Sequence, residues 1–202
     1  PLEVPGQTVN RLCGSGLQAV VSAAQAIRAG EGAAFIAGGV ESMSRAPWIM
    51  LKPETGFPRG APEVADTVLG WRFPNPAFAP EWTIGLGETA EVVAREFGVN
   101  REAQDAFATE SVKRSLRAVE SGEFAAEIAP VTVRSRKGEA VVDRDETPFT
   151  CDIGKIPGMK PAFSRDGTVT AASSSSISDG AAAVLLMRES AAIARGLKPV
   201  AR

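Results

Sequence analysis

The first forty residues restrict the fold most, because they read in order as extended run, turn, amphipathic helix, turn and apolar strand. Gln7–Leu12 is a short run of extended type. From Ser15 onward, apolar residues recur at Leu17, Val20, Val21, Ala24 and Ile27, the spacing of one buried helix face, and Gly30 stops the pattern. Ala33, Ala34, Phe35, Ile36 and Ala37 then run unbroken to Gly38–Gly39, the composition of a central strand covered on both faces. A helix face and a strand in this succession have to bury against each other, which is the grammar of an α/β domain.

The next forty residues break that grammar. Seven of the 14 prolines (47, 53, 58, 62, 74, 76 and 80) and all three tryptophans fall between Met43 and Trp82, so this stretch is predicted to leave the sheet. Two helical patterns follow, one over Gly87–Phe97 and one running from the N-cap Asn100 to about Ser121, with Ala108, Val112, Leu116 and Val119 on one face. Ile128–Arg134 and Ala140–Asp143 flank Arg136–Glu139 as a hairpin, and Asp145–Pro161 is irregular. Thr168–Ala171 is predicted as a short strand, Ser173–Gly180 as a Ser-rich turn and Ala181–Met187 as another central strand. A short helix around Ser190–Arg195 should end at Gly196, with a new strand starting near Lys198. A doubly wound sheet of only three or four such strands leaves apolar faces uncovered, so the sequence is expected to be a piece of a longer one.

Charge and composition exclude several functions. With 22 Lys+Arg against 24 Asp+Glu and a net charge of −2, there is no cationic surface for nucleic-acid phosphates. The longest apolar stretches, Ala181–Met187 and Ala33–Ala37, are far short of the roughly 20 residues a membrane-spanning helix needs. The chain has two Cys and no His. It therefore cannot form a Ser-His-Asp triad, a Cys-His dyad or a His-containing zinc site from its own residues, and no metal is expected. Two cysteines are too few for a disulfide framework, which favours the reducing cytoplasm.

Chemistry concentrates in Val9-Asn10-Arg11-Leu12-Cys13-Gly14-Ser15-Gly16-Leu17. A thiol between an extended run and the first turn of a helix meets unpaired backbone N–H groups and the positive end of the helix dipole, and both favour the nucleophilic thiolate. Gly14 and Gly16 leave room for a substrate carbonyl beside the sulfur. On the residues alone, Cys13 is either such a nucleophile or a small apolar residue packed beneath a helix. Gly14–Ala19 also fits G-x-G-x-x-A, a dinucleotide-binding pattern, but the nearest acidic partner, Glu41, comes 27 residues after Gly14 and lies beyond Gly38–Gly39.

Taken together, Val9–Gly16 (VNRLCGSG) and Ala37–Ser44 (AGGVESMS) resemble the nucleophile region of the thiolases, the acetyl-CoA acetyltransferases. Further matching segments follow in order: Gly87–Glu91 (GETAE), Asp145–Pro148 (DETP), Gly158–Phe163 (GMKPAF), Gly167–Ala171 (GTVTA) and Ser178–Ala183 (SDGAAA). The resemblance implies a partial N-terminal α/β domain with an inserted loop domain. Residues 1–42 would belong to the N-terminal domain, 43–166 to the coenzyme A-binding insertion, and 167–202 to the return and the start of a C-terminal domain. It further implies acyl transfer between coenzyme A thioesters through a thioester on Cys13, with no cofactor beyond those substrates. Full-length members are homodimers or homotetramers, and fatty acid metabolism in the cytoplasm is the expected setting.

By the same resemblance Ser175 matches the serine that contacts the pantetheine chain, where the alternative is turn capping. Phe163 and Ala171 match residues lining the pantetheine channel, although Phe163 would serve equally as core. Glu41 and Glu91 are read as structural carboxylates, and Cys151 as an incidental thiol. Phe149 stands where the family often has an adenine-packing Arg, so it could stack on a base but offers no charge. The family's catalytic His, second Cys and water-positioning Asn lie in motifs that this sequence does not contain. The isolated chain is therefore expected to bind coenzyme A thioesters without turning over. A non-catalytic coenzyme A-binding or interaction module needing a complementing chain is the alternative, and a dinucleotide-dependent oxidoreductase a more distant one.

Overall fold

The computed structural model of the chain describes residues 3–202. In chain order its elements are α1 (Ser15–Ala29), β1 (Ala34–Glu41), β2 (Trp48–Met50), β3 (Val64–Asp66), α2 (Leu86–Glu96), α3 (Arg101–Glu120), β4 (Val131–Ser135), β5 (Gly138–Val142), α4 (Thr147–Thr150), β6 (Gly180–Met187) and α5 (Glu189–Ala194), with short 3₁₀ turns between several of them. Packing divides the chain into two compact units, residues 1–47 with 177–202, and residues 48–176.

In the first unit, α1 lies on a two-stranded antiparallel ribbon in which β1 pairs with β6 from Ala34 opposite Met187 to Glu41 opposite Gly180. Ala23 and Ile27 of α1, Ala37 of β1 and Ala192 of α5 are its buried apolar residues. Gly30 ends α1 as predicted, in the left-handed conformation (φ +82°), and its N–H returns to the Ile27 and Ala26 carbonyls. Arg188 reinforces this end by donating from Nη2 to the Ile27 carbonyl at 3.0 Å. Gly38 is the point where the ribbon is tightest, since a Cβ there would run into the backbone of Ala182 and Ala183.

Several sequence expectations are corrected here. β1 and β6 are not central strands buried on both faces, because α1 covers one face only. Phe35 and Ala37 point into cover while Ile36 and Val40 on the opposite face are 79% and 78% exposed. Gln7–Leu12 and Thr168–Ala171 form no strand, since neither finds a ladder partner among the described residues, and none starts at Lys198. Met43–Pro47 pack with the first unit, where Asp179 captures Ser44. Gly167–Ser176 pack with the second unit, where helices α2 and α3 hold Thr168.

In the second unit the proline-rich stretch holds the short ribbon β2–β3, a 3₁₀ turn at Pro80–Trp82 and otherwise irregular chain. α3 organises the rest. The Asn100 carboxamide accepts the Ala103 N–H at 2.9 Å as its N-cap. The helix buries Asp105, Ala108 and Ala118 on one side and packs on α4 and on the 3₁₀ turns at Ile153–Gly158 and Ala171–Ser173. The predicted hairpin forms as β4–β5, turning through Arg136-Lys137 into Gly138 at φ +118°.

Candidate functional site

In the first unit, Cys13 is a free, solvent-exposed cysteine immediately before Gly14, the N-cap of α1. Two consecutive turns fold the chain here: the Gly14 N–H donates to the Arg11 carbonyl and the Ser15 N–H to the Leu12 carbonyl, both at 3.0 Å. Ser15 Oγ closes the structure, accepting the Arg11 N–H at 2.8 Å and donating to the Leu12 carbonyl at 2.6 Å. Asn10 Oδ1 accepts the Leu12 N–H at 3.0 Å, and Arg11 reaches over the first turn to Gln18 Oε1 at 2.7 Å.

These bonds hold Leu12 at φ +50°, a left-handed conformation that costs a non-glycine residue about 1–3 kcal/mol. The strained bend lifts Cys13 to the surface at the head of α1 instead of packing it beneath the helix. No neighbour crowds the face of Gly16, where an added Cβ would meet nothing within 4 Å. Nothing in the residue order marks Leu12, since a leucine does not advertise positive φ as glycine or asparagine does.

The motif pair AGGVESMS and SDGAAA also meets in this unit. The Asp179 carboxylate accepts the Ser44 N–H at 2.9 Å and the Ser44 hydroxyl at 2.6 Å, with a longer contact to Ser42 Oγ at 3.5 Å. The Ser44 hydroxyl first, and then the backbone N–H, hold the Asp179 carboxyl below its ordinary range. Glu41 ends β1 opposite Gly180 and is exposed.

The second unit contains Phe149, Phe163, Ala171 and Ser175. The Phe163 ring lies against Gly87 of α2, so close that any Cβ on residue 87 would overlap it, while Phe163 as a whole stays 43% exposed. The chain then turns back, and the Ala162 N–H donates to the Val169 carbonyl at 2.9 Å. Val169 and Thr170 are buried, and Ala171 opens a 3₁₀ turn on the surface. Within the serine run, capping falls to Ser173 and Ser174: Ser173 Oγ accepts the Thr170 N–H at 2.9 Å and Ser174 Oγ donates to the Thr170 carbonyl at 2.7 Å. Ser175 is thereby left exposed.

Phe149 sits on α4 with the guanidinium of Arg144 over its ring at 4.6 Å, so the aromatic residue carries a positive charge on one face. Cys151, half-buried, follows α4 as a free thiol. Beside the Val169–Ser173 segment, Leu86, Ala90, Val93, Phe107 and Val169 border an open apolar groove of about 640 Å³.

Two polar clusters hold this unit together, one around Arg101, which sequence reasoning did not single out, and one around Glu91, read from sequence as a structural carboxylate but without its partners. Arg101 pairs with Asp105 at 2.8 Å and donates to the carbonyls of Ile156, Pro157 and Met159, fastening that 3₁₀ turn to α3. Glu91 of α2 accepts the backbone N–H groups of Thr168 and Val169 at 2.8–2.9 Å and the Thr168 hydroxyl at 3.1 Å. Gln104 of α3 donates to the same hydroxyl at 2.9 Å. Burial pushes the Glu91 carboxyl upward, but the N–H groups of Thr168 and Val169 and the Thr168 hydroxyl outweigh it and hold the group below its ordinary value.

Among the described residues no three His, Cys, Asp or Glu side chains converge as a metal site, and no helix is long and apolar enough to cross a membrane.

The family model for the thiolase N-terminal domain matches residues 1–190. The chain is 48% identical, over its whole length, to the beta-ketoadipyl-CoA thiolase of Acinetobacter baylyi, covering 51% of that protein. It is 45% identical over 98% of its length to the acetyl-CoA acetyltransferase of Escherichia coli, covering 50% of it. Among solved structures, the Bacillus anthracis acetyl-CoA acetyltransferase superposes with a TM-score of 0.79 at 38% identity, over 98% of this chain and 50% of the other. The chain thus spans about half the length of the relatives it matches.

Proposed function

Since this chain belongs to the thiolase family, we propose that it carries the nucleophile and coenzyme A-contacting segments of an enzyme transferring acyl groups between coenzyme A thioesters. The observation that carries the reading is Cys13, exposed at the head of α1 on a bend strained at Leu12. Its Sγ thiolate attacks the 3-oxo carbon of a 3-oxoacyl-CoA, forming the S–C bond. The bond between carbons 2 and 3 then breaks, acetyl-CoA leaves as its enolate and takes up a proton, and the remaining acyl group stays on Cys13 as a thioester. The thiol of a second coenzyme A displaces that acyl group and restores Cys13. The intermediate divides one difficult carbon–carbon cleavage into two acyl transfers.

Phe163, Ala171 and Ser175 are the residues we assign to the pantetheine chain, and Phe149 with Arg144 to the adenine. The exposure of the Phe163 ring, Ala171 and Ser175 supports this. The protons moved in both steps require an acid and base, and the chain has no imidazole to supply them. We place the complete enzyme in the cytoplasm as a homo-oligomer, acting in fatty acid or related 3-oxoacyl metabolism.

Intact mass before and after incubation with acetoacetyl-CoA, followed by peptide mapping, tests the reading. An acetyl group on Cys13 that is absent from a Cys13→Ser variant is the expected result. Coenzyme A binding without acylation supports the second reading, a non-catalytic coenzyme A module acting with a complementing chain. Neither acylation nor binding overturns both.

A further inference from the structure

Within the second unit, two helices grip the run from Phe163 to Ser175 from outside it. At its start, the Phe163 ring lies on Gly87, and four residues further along α2 the Glu91 carboxylate holds the N–H groups of Thr168 and Val169. Gly167 fits only because it lacks a side chain, since a Cβ there would collide with the Glu91 carboxylate and Ser164 Oγ. From the other side, Gln104 of α3 reaches the Thr168 hydroxyl. Thr170, fully buried, follows directly and sets the turn that leaves Ala171 and Ser175 facing outward.

Among the described residues no strand ladder supports this segment; its remaining bonds, Ala162–Val169, Ser164–Gly167 and those of Thr170 with Ser173 and Ser174, are local to it, and Glu91 and Gln104 supply the side-chain hydrogen bonds that tie it to the helices. A loop that has to be ordered at the moment of binding lowers affinity, whereas one already held contributes its contacts at no further entropic cost.

We propose that Glu91 is a positioning residue for coenzyme A. It touches no substrate, but by clamping Thr168 and Val169 it holds Phe163, Ala171 and Ser175 in their binding arrangement. This rests on the assignment of those three residues to coenzyme A. The carboxylate cannot be replaced by its amide, because Gln offers one acceptor oxygen where two are in use and turns an NH₂ donor toward a backbone N–H.

The test is calorimetric titration of the 202-residue chain and its variants with coenzyme A, alongside amide hydrogen exchange and thermal melts. Glu91→Gln should weaken binding about tenfold, the loss expected for a charge-assisted hydrogen bond. Exchange should rise within residues 163–175 while α3 stays protected and the melt stays cooperative. Glu91→Asp, with the charge kept on a shorter arm, should fall between the two.

Unchanged affinity in Glu91→Gln overturns the positioning role and leaves the coenzyme A reading standing. A wild-type chain that takes up no coenzyme A overturns that reading and this role with it. If Glu91→Gln does not fold, Gly167→Ala decides. Its methyl displaces the Glu91 carboxylate from the Thr168 and Val169 N–H groups, and a folded Gly167→Ala that binds like wild type overturns the role, whereas a several-fold loss supports it.

Discussion

Ser44 and Asp179 lie 135 residues apart in sequence, yet the Asp179 carboxylate accepts both the backbone N–H and the hydroxyl of Ser44. This pair ties the turn after β1 to the residue before β6, at the end of the ribbon where Glu41 faces Gly180. It gives two separated sequence motifs one physical purpose.

Asp179→Asn should therefore lower the melting temperature and raise hydrogen exchange at Ser44. The charged form of Asp179 is favoured in the folded state below its ordinary value of 3.8. Its stabilising contribution is full above that value and is lost as pH falls through the lower folded value. Melts of wild type and Asp179→Asn from pH 6 downward should converge at the acid end; a gap that stays constant would refute the ionic origin.

Arg101 and Asp105 form a largely covered pair, with side chains 25% and 12% exposed. Arg101→Met keeps the apolar stem but leaves the carboxylate and three carbonyls without their donor, which should cost about 2–3 kcal/mol. Adding Asp105→Leu removes the stranded charge, and the double variant should recover part of that loss in urea titration. Additive losses would show that the two side chains do not act as a pair.

Glycine-to-alanine changes should have opposite signs in two helices. In α1, Gly16 faces open space, so Gly16→Ala should gain up to about 1 kcal/mol of stability from helix propensity. In α2, Gly87→Ala drives a methyl into the Phe163 ring and should cost about 1–3 kcal/mol. It should also weaken coenzyme A binding, because the displaced ring is one of the proposed contacts. Thermal melts and the same titration check both.

The two thiols should separate in alkylation. Cys13 is exposed and Cys151 half-buried after α4. Limiting iodoacetamide should label Cys13 first, and prior acylation by acetoacetyl-CoA should block it there while leaving Cys151 unaffected. Equal labelling would contradict the exposure difference.

The sequence by itself determined the local elements whose causes are local. Gly30 and Gly196 end their helices at positive φ, Asn100 caps α3, and Gly138 turns the hairpin, because each depends on the conformational range or hydrogen-bonding reach of one residue. It also determined the family, through motifs spread from Val9 to Ala183. The apolar runs misled about burial, since composition shows what a strand tolerates, while cover depends on which elements reach it. Among the described residues α1 covers one face of the β1–β6 ribbon, and Ile36 and Val40 on the other face stay open. Tertiary structure alone decided the Asp179–Ser44 tie and the Glu91 clamp on Thr168 and Val169. Each joins a side chain to backbone groups whose positions are fixed only once the chain has folded around them.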